Sequence, residues 1–173
     1  MSDLPSLEYI PNFVGPNLQA KLMNEIDANE WNLKLTRRTQ HYVHEYDYKS
    51  KNVLTKASPM PKYIGLVGDH LIKQGVLDRI DQVIVNEYTR KQGISAHIDK
   101  NVFGPTIAIV TLNSADEMIF RKGDQSITYT LEPGSLAIIE GELRTEWTHE
   151  IKSLVGKRPH DFRRISVTYR TMV

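Results

Sequence analysis

Eight short segments between residues 82 and 170 constrain the fold of this chain more than any other feature. They run 82–88, 94–98, 106–112, 117–121, 126–131, 135–140, 146–151 and 163–170. Each is rich in Val, Ile, Thr and Tyr, which suit a pleated, half-buried surface. Gly, Pro, Asn and Asp fall between them. Strands this short at this spacing predict a jelly roll or closed sandwich. Upstream the pattern changes. After Gly15-Pro16, Leu18, Leu22 and Ile26 recur at helical spacing, so residues 17–29 are expected to be a helix. Residues 62–74 repeat the pattern with Ile64, Val67, Leu71 and Ile72, and Gly75 is placed to end it. Residues 7–10 and 40–48 read as strands, and 49–61 as a polar loop. The expectation is an α+β chain, mainly β, with two N-terminal helices packed on a jelly-roll core. Nothing in 173 residues marks a repeat or a domain boundary, so a single domain over 1–173 is expected.

Composition narrows the chemistry. Cysteine is absent, which excludes disulfides, thiolate-bound zinc and a Cys nucleophile. A formal net charge of +1 gives no global basic field, so any nucleic-acid contact must use a local patch. The N-terminus lacks the basic start and apolar core of a signal peptide, and no apolar run reaches membrane-spanning length. An intracellular chain, cytoplasmic or nuclear, is expected.

Residues 95–101 read S-A-H-I-D-K-N. On a strand, His97 and Asp99 share a face. The bland reading is a surface turn, since Lys100 and Asn101 follow at once. A two-His-one-carboxylate metal site needs one more His from a distant strand. His41 and His44 lie on an aromatic segment and are expected to line a surface or groove. His70 belongs to a helix, and His160 to the polar stretch K-R-P-H-D-F. His149, in W-T-H-E-I, falls in the β-core. It can be a satisfied core histidine or the third ligand.

The last strand reads R-R-I-S-V-T-Y-R. Alternation places Ile165, Val167 and Tyr169 on one face and Arg164, Ser166, Thr168 and Arg170 on the other. The second face is either a solvated edge or an interior anion site, where a guanidinium fork meets a carboxylate with two parallel hydrogen bonds. Asn86 and Tyr88 share a face at the end of V-I-V-N-E-Y. They either cap the strand or need polar partners inside.

Together these residues resemble the AlkB family of Fe(II)- and 2-oxoglutarate-dependent dioxygenases. The shared pattern is N-x-Y at Asn86 and Tyr88, H-x-D eleven residues after the Asn at His97 and Asp99, then His149, then R-x5-R from Arg164 to Arg170. The stretch G-E-L-R before the distal His matches too, through Glu142 and Arg144. The resemblance covers residues 83–170 and implies a double-stranded β-helix with a metal inside its open mouth. It implies that His97, Asp99 and His149 bind Fe(II), leaving positions for 2-oxoglutarate and O2. Arg164 would pair with the distal carboxylate of 2-oxoglutarate and Arg170 would sit near its keto-acid end. Asn86, Tyr88 and Ser166 would complete the pocket. The implied reaction turns 2-oxoglutarate and O2 into succinate and CO2 while a substrate C–H becomes C–OH. An N-methyl group so hydroxylated leaves as formaldehyde; a stable carbon keeps the hydroxyl.

The same resemblance makes residues 1–75 helices and substrate lid, and 76–173 catalytic core. Tyr46 and Tyr48 match an aromatic pair of the family's lid, and Arg37 and Arg38 add charge suited to a flipped base beside phosphates. A core strand with a charged end explains that segment equally. Arg121 and Lys122 are further phosphate-contact candidates. Asn101 stands where some members carry an acidic residue, which leaves the base preference open. G-I-S-A-H-I-D and W-T-H-E-I look closer to the AlkB homologue that hydroxylates modified wobble uridine in tRNA, which leans the expectation toward RNA. Three functions follow: a monomeric oxygenase acting on a nucleobase, by demethylation or hydroxylation; the same chemistry on a protein or lipid-like substrate; and a silent nucleic-acid-binding jelly roll.

Overall fold

The computed structural model describes residues 3–47, 54–153 and 155–173. Its elements in chain order are β1 (Glu8–Ile10), α1 (Pro16–Ala28), β2 (Thr39–Tyr42), β3 (His44–Tyr46), β4 (Leu54–Lys56) and α2 (Lys62–Lys73). There follow β5 (Gln82–Thr89), β6 (Ile94–His97), β7 (Phe103–Asn113), β8 (Asp116–Lys122), β9 (Gln125–Leu131) and β10 (Leu136–Ile139). The chain ends with α3 (Gly141–Thr145), β11 (Thr148–Ile151) and β12 (Arg163–Met172).

Two antiparallel sheets face each other as a jelly roll. The larger has the order β1-β10-β7-β12-β5-β2, and the smaller β6-β11-β8-β9. The N-terminal third therefore supplies both edges of the larger sheet. Residues of the two inner faces, among them Ile107, Ile109, Met118, Phe120, Leu131 and Ile139, pack into one core. The outer face of the larger sheet is covered by the helices. Leu22 and Ile26 of α1 and Ile64, Val67 and Leu71 of α2 meet Val83, Val85, Val110, Ile165, Val167 and Tyr169 there. Alternation along β12 thus sends its apolar residues under the helices, each contributing about 1.5–3 kcal/mol of burial. It turns Arg164, Ser166, Thr168 and Arg170 into the space between the sheets.

Both helices start and stop within one residue of the expected 17–29 and 62–74. Pro16 occupies the first turn of α1, where its missing N–H costs nothing. Gly75 takes φ +74 after α2, while its N–H and that of Val76 return to Ile72 and Leu71 carbonyls. The α1 residue Glu25 accepts from the Tyr63 and Ile64 amides and so ties α2 to α1. Ile72 turns outward, about 39% exposed, because Leu71 takes the inward position beside it.

Two local readings differ. The single strand expected over 40–48 breaks into β2 and β3 at Val43, which takes φ 70. Hydrogen bonds from Val43 N–H to the Ser58 carbonyl and from Ala57 N–H to the Val43 carbonyl hold that conformation. The expected loop 49–61 contains β4, which pairs with β3; residues 49–53, and Tyr48 before them, lie outside the described residues. Among the described residues no helix is long and apolar enough to cross a membrane.

Candidate active site

The space between the sheets narrows to a polar cavity. Asn86 and Tyr88 on β5 and Arg164, Ser166, Thr168 and Arg170 on β12 form one wall. The register puts Tyr88 opposite Arg164 and Asn86 opposite Ser166, so the six are neighbours on adjacent strands. His97, Asp99, Met118 and His149 form the facing wall. In this conformation the side chains close the cavity to about 40 Å³.

His97 and His149 are register partners of β6 and β11, with ring centroids 4.3 Å apart. The close approach of these strands depends on Gly93. A Cβ there would lie 2.2 Å from the Ile151 carbonyl oxygen. Asp99 follows β6 and places Oδ1 3.3 Å from His97 Nε2 and 3.4 Å from His149 Nε2. Ligand atoms of the three residues all lie within 4.8 Å of one another, a spacing that can hold a metal ion.

Their chemistry fits such an ion. The Ser95 carbonyl lies 2.8 Å from His97 Nδ1, which fixes the proton there and turns the Nε2 lone pair toward Asp99. Both Asp99 oxygens are buried and complete no hydrogen bond. Arg170 Nε is 3.0 Å from Oδ2, yet its N–H is not aimed at that oxygen. Burial would raise the Asp99 carboxyl, but the Arg170 guanidinium and the two imidazoles outweigh it and hold the group far below the usual carboxylate range. Burial pushes the His149 imidazole down to about 4, against the pull of Asp99. Near neutral pH the carboxylate is therefore ionised and His149 neutral, the protonation states a metal requires. Mixed imidazole and carboxylate donors suit Fe(II).

Arg164 is the second unusual group. It is 1% exposed and donates one hydrogen bond, from Nη2 to Thr111 Oγ1 at 2.9 Å, while its Nε finds no partner. Its guanidinium lies 5.4 Å from the Tyr88 ring centroid. No carboxylate among the described residues forms an ion pair with it. Asp116, the acidic group whose field reaches it, is committed to Arg158 at 2.9 Å. A buried cation with so few partners is arranged to receive an anion.

Beyond β2 lies a larger groove of about 630 Å³, lined by Asn32, Lys34, Thr39, His41, Glu45 and Tyr46 among others. Thr39 pairs with Asn86 and His41 with Ile84 across β2 and β5, so the groove continues the wall of the cavity outward. Tyr46 is buried with its ring 6.0 Å from Phe103, which in turn lies under the Arg170 guanidinium. His41 Nε2 is 2.9 Å from Thr39 Oγ1, while its buried Nδ1 has no partner. Burial lowers its pKa, which keeps the ring neutral.

The remaining candidates separate. Arg37 donates to Asn86 Oδ1 at 2.9 Å and so reaches the cavity wall. Arg38 points to the helix side, where it makes a bidentate pair with Glu87 and stacks on Trp31. Arg121 pairs with Glu150 at 2.7 Å, and Asn101 is exposed on the turn after Asp99. His41 lines the groove as expected, and His70 and His160 are exposed. Sequence reasoning missed Thr111, although alternation with Ile107 and Ile109 on β7 could have found it. It also missed Met118, which no spacing in the sequence ties to the site.

The family model described as the 2OG-Fe(II) oxygenase superfamily matches residues 6–170. An uncharacterized protein of Acanthamoeba polyphaga mimivirus is 30% identical over 99% of this chain and 87% of its own length. The alkylated DNA repair protein ALKBH8 homolog of Arabidopsis thaliana is 28% identical over 97% of this chain. The tRNA (carboxymethyluridine(34)-5-O)-methyltransferase ALKBH8 of Mus musculus is 29% identical over 85% of it. The chain spans 58% of the Arabidopsis protein's length and 24% of the mouse protein's. Among solved structures, that of OsALKBH1 superposes with a TM-score of 0.77 at 14% identity, covering 99% of both chains. The chain belongs to the 2OG-Fe(II) oxygenase superfamily and is an AlkB-like 2-oxoglutarate-dependent dioxygenase.

Proposed function

We propose that His97, Asp99 and His149 hold Fe(II), that Arg164 receives the distal carboxylate of 2-oxoglutarate, and that the substrate is a base of nucleic acid, with tRNA favoured. The observation that carries the site reading is a pair of unmet needs on facing walls of one cavity. Asp99 has two buried oxygens without hydrogen bonds, with Arg170 beside Oδ2 at 3.0 Å and Oδ1 facing the two imidazoles, and Arg164 is a buried guanidinium without a carboxylate. A cation answers the first and an anion the second. When bound, iron couples O2 reduction to decarboxylation of 2-oxoglutarate and so supplies the oxidising power for a substrate C–H bond.

The chain's own groups bind, orient and exclude. Arg164 and Thr111 present donors to the carboxylate, with the Tyr88 ring against the guanidinium. Asn86, Ser166 and Thr168 supply further polar contacts along the same wall. With only about 40 Å³ open in this conformation, the keto acid needs side chains lining the cavity to draw back. The apolar residues Ile107, Ile109 and Ile151 keep the cavity dry around the reacting atoms. No acid–base residue is needed; the protein contributes positioning.

Two features support a nucleobase substrate. The groove beside the cavity carries an aromatic floor at Tyr46, a neutral His41 with a free ring nitrogen, and the exposed cation Lys34. That set suits a planar heterocycle with a phosphate nearby. The names of the Arabidopsis and mouse relatives refer to DNA repair and to tRNA, and the mouse name favours tRNA. The test is succinate formation from 2-oxoglutarate with Fe(II) in air, with methylated DNA, methylated RNA or total tRNA added. Stimulation by tRNA, absent in His97→Ala, supports the reading. Succinate that no nucleic acid stimulates moves the substrate to a protein or lipid-like molecule, and no succinate at all removes the enzyme reading.

A further inference from the structure

The sequence pattern G-E-L-R before His149 contains a buried arginine, Arg144, that does not itself line the cavity. Arg144, on α3, is 6% exposed and forms no ion pair among the described residues. Its guanidinium instead donates to four backbone carbonyls of one turn. Nη1 reaches the Asp99 oxygen at 2.9 Å, Nη2 the Lys100 and Phe103 oxygens at 3.1 Å each, and Nε the Gly104 oxygen at 3.1 Å. Elsewhere the turn is held at its far end, where Val173 N–H donates to the Val102 carbonyl and Phe103 of β7 pairs with Met172 of β12. Its described internal bond is Phe103 N–H to the Lys100 carbonyl, and Lys100 and Asn101 are exposed. The strand before it, β6, is a four-residue edge strand bonded among the described residues to β11 alone, with a register shift between His149 and Ile151.

We propose that Arg144 is a positioning residue for the metal site: it fixes the backbone of residues 99–104 and so aims the Asp99 carboxylate between the two imidazoles. The inference rests on the reading of His97, Asp99 and His149 as metal ligands. Arg144 lies five residues before His149, so one short segment carries a ligand and clamps the turn that carries another. Four carbonyls pointing inward need a donor with several rigid N–H groups. The planar guanidinium supplies five in a fixed fork, whereas an ammonium supplies three on one atom.

Arg158 provides a matched control. It is similarly buried and donates to the carbonyls of Thr89, Arg90, Gln92 and Lys152, while pairing with Asp116. It braces the turn before β6 and contacts none of the three proposed ligands.

The experiment is Mn(II) titration of the metal-free protein, with free Mn(II) read by its paramagnetic resonance signal, for wild type, His149→Ala, Arg144→Lys and Arg158→Lys. Wild type is expected to bind and His149→Ala to lose binding; failure of either overturns the metal reading itself. Given those results, Arg144→Lys is expected to bind about 10- to 100-fold more weakly, the usual effect of losing an outer partner of a metal ligand. Arg158→Lys is expected to stay within about threefold of wild type. Wild-type affinity in Arg144→Lys, or equal losses in both arginine variants, overturns the positioning role and leaves the metal reading intact. A measurement on wild type alone covers the case of variants that do not fold. The Phe103 amide of the metal-free protein is expected to be protected from hydrogen exchange, with Mn(II) changing its rate less than about threefold. An amide that gains protection only when Mn(II) is added shows that the ion orders the turn, and the proposal falls.

Discussion

Replacing Arg164 with Met separates a binding role from a structural one, because the two predict different changes in stability and affinity. In the folded protein the Arg164 guanidinium is 1% exposed, and its described contacts are one hydrogen bond to Thr111 and the ring of Tyr88. Burial pulls its pKa down, the direction expected for a charge short of partners. Exchanging buried ionic groups for apolar ones of similar volume is neutral or stabilising by about 1–4 kcal/mol when the charge is poorly compensated. Thr111 Oγ1 then loses its donor, which costs about 1 kcal/mol. The net lies between a loss of about 1 and a gain of about 3 kcal/mol, or about −4 to +12 °C in Tm for a chain of this size. Ligand affinity falls in either case. Losing one partner of a desolvated charge pair costs about 2–5 kcal/mol, a factor of about 30 to 4,000 in Kd for 2-oxoglutarate. Scanning calorimetry without ligands reads the first quantity. Calorimetric titration of 2-oxoglutarate into the Mn(II)-loaded protein reads the second. A Tm lower by more than about 5 °C with 2-oxoglutarate affinity within threefold of wild type refutes the reasoning and makes Arg164 a structural cation.

Acid stability reports on Glu87. Its hydrogen bond to Arg38, helped by Arg163, holds its carboxyl below the ordinary glutamate value despite burial. A lowered folded pKa contributes stability that is present above about pH 4.3 and is lost as pH falls through the folded value. Glu87→Gln should therefore flatten the fall of Tm below that pH and lower Tm near pH 7, by about 1–3 kcal/mol of stability; parallel wild-type and variant profiles would exclude the linkage. Gly93→Ala should lower both Tm and Mn(II) affinity, since its Cβ would meet the Ile151 carbonyl at 2.2 Å and force β6 off β11. Lys34→Ala should reduce the slope of log affinity for tRNA against log salt by about 1, the contribution of one phosphate contact; an unchanged slope removes Lys34 from the nucleic-acid path.

Most of the strand pattern was legible because period-2 alternation is a local signal. The eight segments read from composition correspond to β5 through β12. The break at Val43 was not legible. A β-branched residue at φ 70 contradicts local preference, and tertiary hydrogen bonds to the Ser58 carbonyl and from the Ala57 amide sustain it. Strand β4 was hidden for a related reason: its partner is β3, whose separation from β2 depends on that break. The short helix α3 gave no periodic signal because five residues do not complete two turns.

The site was legible in a different way. Alternation on β12 says that two arginines share a face, but not whether that face meets water or the interior. Placement decides it: β12 lies between β7 and β5 in the middle of the larger sheet, with helices on the other side. A central strand cannot turn Arg164 to solvent when a second sheet closes over it, so the polar face becomes a cavity. The G-E-L-R match marks Arg144 in the sequence, but its carbonyl clasp was not legible there, because its partners are main-chain atoms common to every residue. A guanidinium satisfied by backbone leaves no second side chain to pair with it in the sequence. What the sequence offers is indirect: an arginine in a short segment between a buried strand and a candidate ligand, with no acidic partner that the fold brings to it.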